Sequence, residues 1–242
     1  MPEQGRPGRE PSLPAHPSTR ASREMDFTFN ESDEDPGRDC FVYTAHSELD
    51  LLAIEALREQ TATDLFGIAT AATEASDPHR FHTSHMLVLV EGELVAGAEL
   101  VAYSPLGLPL CEWPDLDGVL RRSRRLVQVR RPFVRPGYAD RALPELPFGA
   151  VGGLVKGCLQ WAVSHDVGEV VAEVATGRAA SRLAELGFIP VAGARSTGPV
   201  RTRRIGVSEL VARGFHPGNP FYSYLLASDK SLLLGAPVSA LA

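Results

Sequence analysis

The sequence lacks a long apolar run and has few cysteines. None of its apolar stretches reaches the ~18 residues that a membrane-spanning helix needs, which excludes such a helix. The three cysteines, Cys40, Cys111 and Cys158, are scattered, so they give neither a metal-ligand spacing nor a disulfide framework. The first residues also lack the apolar core of a secretory signal. We therefore expect a protein of the reducing cytoplasm that carries no metal.

Positive charge is in the minority. The chain has 24 Lys and Arg against 30 Asp and Glu, a net charge of −6, which argues against a general nucleic-acid binder. Its 242 residues suit one domain and a tail. We predict a disordered tail over residues 1–38, which hold six of the 19 prolines and almost no apolar residues. The domain would span 39–207, and a helical extension, 208–242, would pack on it.

The first half of the domain is predicted to form a strand, two helices and a hairpin. Residues 40–44 form the strand, and Ser47-x-x-Asp50 is a capping box. It starts a helix whose expected apolar side is Leu49, Leu52, Ala53, Ala56 and Leu57. A second helical segment is predicted over 62–75. Residues 86–90 and 94–101 form a hairpin around Glu-Gly-Glu.

The chain is organised around residues 126–191. A strand over 126–130, broken by Pro132, leads to a glycine-rich helix start at 147–153. The long helix has apolar residues at a spacing of three to four, namely Phe148, Val151, Leu154, Val155, Cys158, Leu159 and Ala162. A strand over 169–174, a short helix ending at Gly187 and a strand over 188–191 follow. Unpaired N–H groups at a helix start bind anions, so this start is a candidate anion site.

The pattern after residue 191 is weaker. Residues 201–207 are predicted to form a last strand and 208–213 a short helix. The mostly apolar stretch 219–234 is expected to pack back as a helical extension.

This order of elements resembles the GNAT superfamily of acyltransferases over about residues 41–207. Residues 178–188, Arg-Ala-Ala-Ser-Arg-Leu-Ala-Glu-Leu-Gly-Phe, are similar to the last helix of that family and its closing Leu-Gly-Phe. The resemblance implies an α/β fold with a mixed, mostly antiparallel sheet of about six or seven strands flanked by helices. It also implies a bulged strand and a splayed cleft.

A second resemblance concerns two branches of that superfamily, the acyl-homoserine-lactone synthases and the long-chain N-acyl amino acid synthases. Residues 77–88, Asp-Pro-His-Arg-Phe-His-Thr-Ser-His-Met-Leu-Val, are similar to an Asp-containing lead-in to a strand there. Residues 95–100, Val-Ala-Gly-Ala-Glu-Leu, lie where those proteins have Gly-x-x-Arg-Leu, with Glu99 in place of the arginine. The sequence therefore leaves two kinds of acyl donor possible, a fatty-acyl thioester and an acyl group bound to a carrier protein.

The resemblance implies an N-acyltransferase that uses acyl-CoA or a phosphopantetheine-linked acyl carrier protein and acylates an amine. The strand beside the bulge and the helix start would hold this co-substrate, through Val129, Arg131, Phe148, Gly149, Gly152 and Gly153. We place the bulge near Arg131 and Pro132, because proline cannot donate to a strand ladder. The other interpretation is that Pro132 only ends the strand.

Three residues are candidates for the chemistry. Gln128 lies where the family often has a carboxylate base, and a glutamine can orient a water or an amine. Glu169 and Glu173 lie four apart on one strand, so they share a face and either could act as the base. Each of the three could instead be a polar residue facing solvent. His85 is either an acid/base group or a polar residue at a strand start.

Seven arginines lie within residues 121–135, at positions 121, 122, 124, 125, 130, 131 and 135. They could protect a strand edge against aggregation or bind phosphates or an acidic carrier protein, with Arg121, Arg122, Arg124 and Arg125 as the contacts. We expect a monomer or homodimer without nucleic-acid or membrane partners. The alternative to an enzyme is a catalytically inactive GNAT-like domain that binds a thioester or a protein. Leu183 favours it, because many family members have a tyrosine acid there.

Overall fold

The computed structural model describes residues 40–45, 47–60, 64–68, 77–109, 125–192, 199–215, 218–227 and 232–233. The tail predicted over 1–38 lies outside these ranges, as do Cys111 and most of the helical segment predicted over 62–75. The division into tail, domain and extension stays a prediction. No helix in the described ranges is both long and apolar enough to cross a membrane.

The described strands form one mixed sheet. They are β1 Cys40–Thr44, β2 Thr83–Val90, β3 Glu93–Ala102, β4 Leu126–Val134, β5 Glu169–Ala175, β6 Ile189–Pro190, β7 Val200–Gly206 and β8 Leu232–Leu233. Their order across the sheet is β6-β7-β5-β4-β3-β2-β1-β8. Neighbours are antiparallel except β4 with β5 and β1 with β8. This confirms the predicted fold class. The edge strand β6 corresponds to the strand predicted over 188–191, and the two-residue strand β8 is added at the other edge.

Five helices are described beside this sheet. They are α1 Glu48–Glu59, α2 Gly149–Ser164, α3 Arg178–Glu185, α4 Val207–Gly214 and α5 Pro220–Leu226. The helix predicted within 219–234 is confirmed as α5, but β8 shows that the end of that stretch is a strand. Residues 64–68, predicted as helical, form a turn instead.

The β2–β3 hairpin is confirmed, and its turn has a local cause. Glu91 and Gly92 both have positive φ angles, 53° and 78°. A two-residue turn with positive φ at both positions matches the twist of the strands, so it fixes their register.

Each face of the sheet has its own apolar core. On one face, α2 packs through residues such as Leu154 and Leu159 against Val42, Met86 and Val88. The other face carries α1, and this core consists of Ile54, Leu57, Leu87, Leu89 and Phe133.

The predicted apolar side of α1 was wrong. Leu49 and Leu52 are 61% and 59% exposed, whereas the helix buries Asp50, Ile54 and Leu57. Asp50 completes the predicted capping box with Ser47, and its Oδ1 accepts a hydrogen bond from the Tyr43 hydroxyl. The cap thus turns Asp50 toward the sheet, and the residues four and seven positions later follow it inward.

Candidate active site

The strands β4 and β5 separate in the middle of the sheet. They pair in parallel from Leu126 with Glu169 to Val129 with Ala172, and the pairing then stops. Beyond this point β4 continues beside β3 and β5 continues beside β7. A wedge-shaped cleft therefore opens between the two strands.

A bulge in β4 accompanies this cleft. Glu99 pairs with Arg130 and Gly97 with Phe133, so Arg131 and Pro132 together face the single residue Ala98. Arg131 has a positive φ of 48°, and Pro132 has no N–H for the ladder. The predicted bulge is confirmed. The prediction that Pro132 breaks the strand is wrong, because β4 continues to Val134.

Residues 64–68, which we call the bridging segment, lie across the cleft. The Leu65 N–H donates to the Pro132 carbonyl at 2.7 Å, and the Ala175 N–H donates to the Phe66 carbonyl at 2.8 Å. The segment is therefore hydrogen-bonded to both separated strands.

An apolar cavity lies on the α2 face of the cleft, with an empty volume of about 1050 Å³ including its open mouth. Its walls come from the bridging segment, β3, β4, β5, β7, α2, α3 and α4. Val129, Pro132, Val151, Val155 and Leu183 are among the residues that line it. Of its described lining residues, only Arg182 is charged, and its side chain is 45% exposed. Such a wall can hold a hydrocarbon chain but gives it no polar partner.

A cluster of charged residues lies on the opposite, α1 face, and we call it the Glu99 cluster. The Glu99 carboxylate is nearly inaccessible, and its Oε1 lies 2.7 Å from Arg58 Nη1 and 3.6 Å from Arg131 Nη1. Arg130 forms ion pairs with both Glu99 and Asp77. Burial alone would raise the pKa of Asp77, but bonds from the His79 N–H and from Arg130 hold it below its usual range. The cluster therefore holds three guanidinium groups and two carboxylates beside the bulge.

Several buried polar atoms around this cluster have no hydrogen-bond partner in the described part of the chain. They are Nε and Nη2 of Arg58, Nδ1 of His85 and Oε1 of Gln128. His85 pairs in register with Glu99, and burial lowers the pKa of its imidazole. Buried donors and acceptors of this kind cost about 1–3 kcal/mol each when they stay unpaired. The face is thus ready to bind a polar ligand.

Gln128 and Glu173 are brought to the same region. Gln128 is buried, so the solvent-facing interpretation of it was wrong. It pairs with Val171, and Glu173 lies two positions further along β5 on the same face. Because pairing ends at Ala172, Glu173 is at the open part of the cleft, on the α1 side.

Glu169 is not brought to the cleft. It pairs with Leu126 at the start of β4, and both of its oxygens accept hydrogen bonds from Arg204 Nη1, at 3.1 and 3.0 Å. The three paired positions from Val127 to Val129 separate it from the bulge. This position does not favour Glu169 as the base, and its catalytic role stays a prediction.

The glycines at the start of α2 allow close packing. A Cβ at Gly152 would lie 2.5 Å from Cβ of Phe148, and one at Gly153 would lie 2.7 Å from Cδ2 of Leu146. Gly149 has a φ of 67°, and a Cβ there would overlap the Ala139 carbonyl oxygen. The N–H groups of Gly149 and Ala150 donate to the carbonyls of Leu146 and Tyr138. Two of the groups that an anion would use are thus occupied, and the co-substrate role of Phe148 and these glycines stays a prediction.

The other two residues predicted to hold the co-substrate lie on opposite faces of β4. Val129 lines the apolar cavity, whereas Arg131 belongs to the Glu99 cluster. They flank the place where the two strands separate.

The tyrosines of α5 have packing roles. The Tyr222 hydroxyl donates to the Glu185 carbonyl at 2.8 Å, and the Tyr224 ring packs on Phe148. Leu183, which replaces the tyrosine acid of the family, lines the cavity.

Four of the seven clustered arginines are described, and each has an internal partner. Arg125 donates to the His165 carbonyl, Arg130 and Arg131 belong to the Glu99 cluster, and Arg135 pairs with Glu93. Arg121, Arg122 and Arg124 lie outside the described residues, so the carrier-docking hypothesis stays a prediction.

Sequence reasoning missed Asp64. Its carboxylate accepts hydrogen bonds from the N–H groups of Phe66 and Ile68, both at 2.9 Å. Burial raises its pKa to about 6, against the bonds from Phe66, Gly67 and Ile68 and the charge of Arg58. An Asp followed by Leu-Phe-Gly is a turn signal that could have placed it in a turn, but not beside the bulge.

Comparisons with known proteins agree on the fold. The sequence matches no family model, and the search of curated proteins gives no match. Among solved structures, it is similar to FeeM, an N-acyl amino acid synthase from uncultured soil microbes, with a TM-score of 0.54 at 15% identity over 70% of this chain and 92% of that one. It is also similar to the AHL synthase LasI (TM-score 0.49, 12% identity, 71% and 91% covered). A third is BjaI, a CoA-dependent acyl-homoserine lactone synthase (TM-score 0.46, 14% identity, 84% and 97% covered). The likeness to FeeM, at 15% identity, shows the fold alone, which is GNAT-like.

Proposed function

We propose that the protein is an N-acyltransferase that moves a fatty acyl group from a thioester to an amine. The observation that carries this proposal is the position of the apolar cavity. Pro132 of the β4 bulge and Leu65 and Phe66 of the bridging segment line it, and the Glu99 cluster lies on the other face of the sheet. A thioester carbonyl in the cleft would have its chain on the apolar side and would meet the amine on the polar side.

The dimensions of the cavity favour a long chain over an acetyl group. Its lining runs along β4 from Val127 to Pro132, which is about 17 Å of strand. Along α2 it runs from Val151 to Ala162, also about 17 Å at about 1.5 Å per residue. A carbon chain with bonds of about 1.5 Å and tetrahedral angles advances about 1.25 Å per carbon, so about thirteen carbons span this length.

The unpartnered atoms on the α1 face favour an amine that also bears an acidic group. The Gln128 Oε1 can accept a hydrogen bond from the amine. The Arg58 Nε and Nη2 can donate to a carboxylate in the bidentate geometry that guanidinium groups favour. An amino acid has both groups, and FeeM, described as an N-acyl amino acid synthase, supports this acceptor class.

In the proposed reaction the amine nitrogen forms a bond to the thioester carbon, and the carbon–sulfur bond breaks. Glu173 takes the proton that the amine loses, and Gln128 orients the nitrogen. Backbone N–H groups beside the bulge stabilise the oxyanion. The thiolate takes a proton from water, because Leu183 cannot supply one.

We infer a carrier-protein donor in preference to free CoA. Two N–H groups at the start of α2 are already bonded within the protein, and the Phe148 ring packs there with Phe221 and Tyr224. Arg121, Arg122 and Arg124 offer charge for an acidic carrier. A carrier-protein donor fits a cytoplasmic protein, which would act as a monomer or homodimer.

A second candidate is a catalytically inactive domain that binds an acyl thioester or a protein as a regulator. The hydrogen bonds from Leu65 to Pro132 and from Ala175 to Phe66 favour it, because a thioester that enters the cleft has to displace the bridging segment.

A free-thiol assay separates the two candidates. The protein is incubated with acyl-pantetheines of increasing chain length, with and without amino acids, and thiol release is followed. Amine-dependent release supports the enzyme. Thermal stabilisation without release supports the binding domain, since a ligand at one hundred times its Kd adds about 2.7 kcal/mol.

A further inference from the structure

The part of the cavity near the C-terminal end of α2 is lined by side chains from both strands of the cleft and from two helices. Val127 and Val170, at the starts of β4 and β5, form one side of it. Ala162 and Trp161 come from the last turns of α2, and Val207 and Leu210 come from α4. Except for the half-buried Val170, all of these are buried. A chain that enters from the cleft therefore meets a wall there.

The Trp161 side chain in this wall is held in place from outside. The His165 ring stacks on the indole, with centroids 4.2 Å apart and an angle of 18° between the planes. His165 is fixed in turn, because its carbonyl accepts from Arg125 Nη1. The Val167 N–H donates to the Ala162 carbonyl at 2.9 Å, which folds the loop after α2 back over its end. The indole thus has support on the side away from the cavity.

We propose that Trp161 is the residue that sets the maximum length of the acyl chain. This proposal rests on the proposed function, since it assumes that the cavity holds the chain. The terminal methyl lies against the indole, and Leu210 and Val207 of α4 complete the wall. A chain with further carbons has to displace the stacked Trp161–His165 pair or leave its thioester out of the cleft.

This wall should make the protein discriminate sharply between acyl chains of different lengths. One methylene in an apolar pocket changes kcat/KM by about 10–200-fold. The wild-type protein should therefore show kcat/KM rising with chain length to a maximum at about thirteen carbons, and then falling sharply.

Two substitutions should move this maximum in opposite directions. Trp161→Leu shortens the side chain at the wall, so the optimum should lengthen by about two carbons. Ala162→Leu fills space at the same end, so the optimum should shorten by about two carbons. Val163→Ala is the matched control, because Val163 is on the same turn of α2 but is 54% exposed. Its profile should match the wild type.

The experiment uses the full chain and acyl-pantetheines from six to eighteen carbons, measuring thiol release and thermal stabilisation. Trp161→Leu leaves space in the core and Ala162→Leu overfills it, so both lower stability, whereas only a change in length selection moves the optimum in opposite directions. Opposite shifts in the optimum support the proposal. Wild-type selectivity that neither variant changes overturns the proposal and leaves the acyltransferase intact. No release and no stabilisation at any length in the wild type overturns both.

Discussion

Glu99 is the residue on which the charged cluster depends. It is 2% exposed and contacts Arg58, Arg130 and Arg131. Glu99→Gln keeps the shape but leaves three guanidinium groups with less compensation, so we expect a loss of about 3–5 kcal/mol in unfolding free energy by urea titration.

The matched control for Glu99 is Glu93→Gln on the same strand. Its ion pair with Arg135 is exposed, and such pairs contribute about 0–1 kcal/mol. Equal small losses in both variants would show that the buried cluster contributes no more than a surface pair.

Replacing Glu173 and Glu169 in turn tests which group is the catalytic base. Both residues lie on the same face of β5, but only Glu173 lies at the cleft. Glu173→Gln should lower kcat by about 10²–10⁴ and flatten the acid side of the pH–rate profile. Glu169→Gln should leave the profile unchanged, since that carboxylate is bonded to Arg204 at the far end of β4. If Glu173→Gln retains more than about a tenth of the wild-type rate, the amine loses its proton through water.

Asp64 should make the protein less stable as the pH rises. Burial raises its pKa from 3.8 to about 6, so between these values the folded state binds more protons than the unfolded state. The contribution of Asp64 is therefore fully present below pH 3.8 and is lost as the pH rises through about 6. The full difference is on the order of 3 kcal/mol.

Asp64→Asn removes this titration and retains an oxygen that can accept from the Phe66 and Ile68 N–H groups. The variant should be more stable than the wild type above about pH 6, and the difference between their urea titrations should shrink toward pH 4. His85, whose lowered pKa acts in the opposite sense, is common to both proteins and cancels in that difference. A difference independent of pH would contradict the raised pKa of Asp64.

At the scale of elements, the sequence predicted best where periodicity and turn residues agreed. The long helix, the strands around it and the hairpin are confirmed within a few residues. The bulge could be placed because Pro132 lacks an N–H. The apolar side of α1 could not be predicted, because the cap that buries Asp50 depends on Tyr43 from another element. The partner of Glu169 could not be predicted either. It depends on strand pairing, which places Arg204 opposite Val171 and within reach of Glu169.

The start of α2 gives a prediction at this scale. Gly149→Ala and Gly177→Ala both place a side chain at positive φ, 67° and 103°, but only Gly149 is crowded, by the Ala139 carbonyl. Backbone strain alone costs about 1–3 kcal/mol, so Gly177→Ala should lose that much and Gly149→Ala clearly more in urea titrations. Equal losses would show that the loop before α2 moves away easily and can open the helix start to a phosphate.

At the scale of the whole molecule, the two faces of the sheet divide the proposed work. The α2 face offers an apolar cavity, and the α1 face offers charged and unpartnered polar groups. The sheet is continuous elsewhere, so the cleft between β4 and β5 is where a group on one face can react with a group on the other.

The choice between CoA and a carrier protein as the acyl donor depends on the charged residues outside the cleft. A CoA donor needs a few cations for its phosphates, whereas a carrier protein presents an acidic surface and needs a wider patch. Arg130, Arg131 and Arg135 are paired internally and cannot serve as that patch without breaking ion pairs. Arg121, Arg122 and Arg124 are the arginines left to test, and steering by them should weaken with salt.

The test compares kcat/KM for one acyl chain on CoA and on a carrier protein, at low salt and at about 0.5 M salt. Arg121→Glu with Arg124→Glu should reduce the carrier reaction at low salt by about tenfold or more and spare the CoA reaction. Arg201→Glu, which reverses one exposed arginine on β7, is the control for net charge. Equal loss on both donors, or faster reaction with CoA at both salt levels, would leave a small-molecule donor.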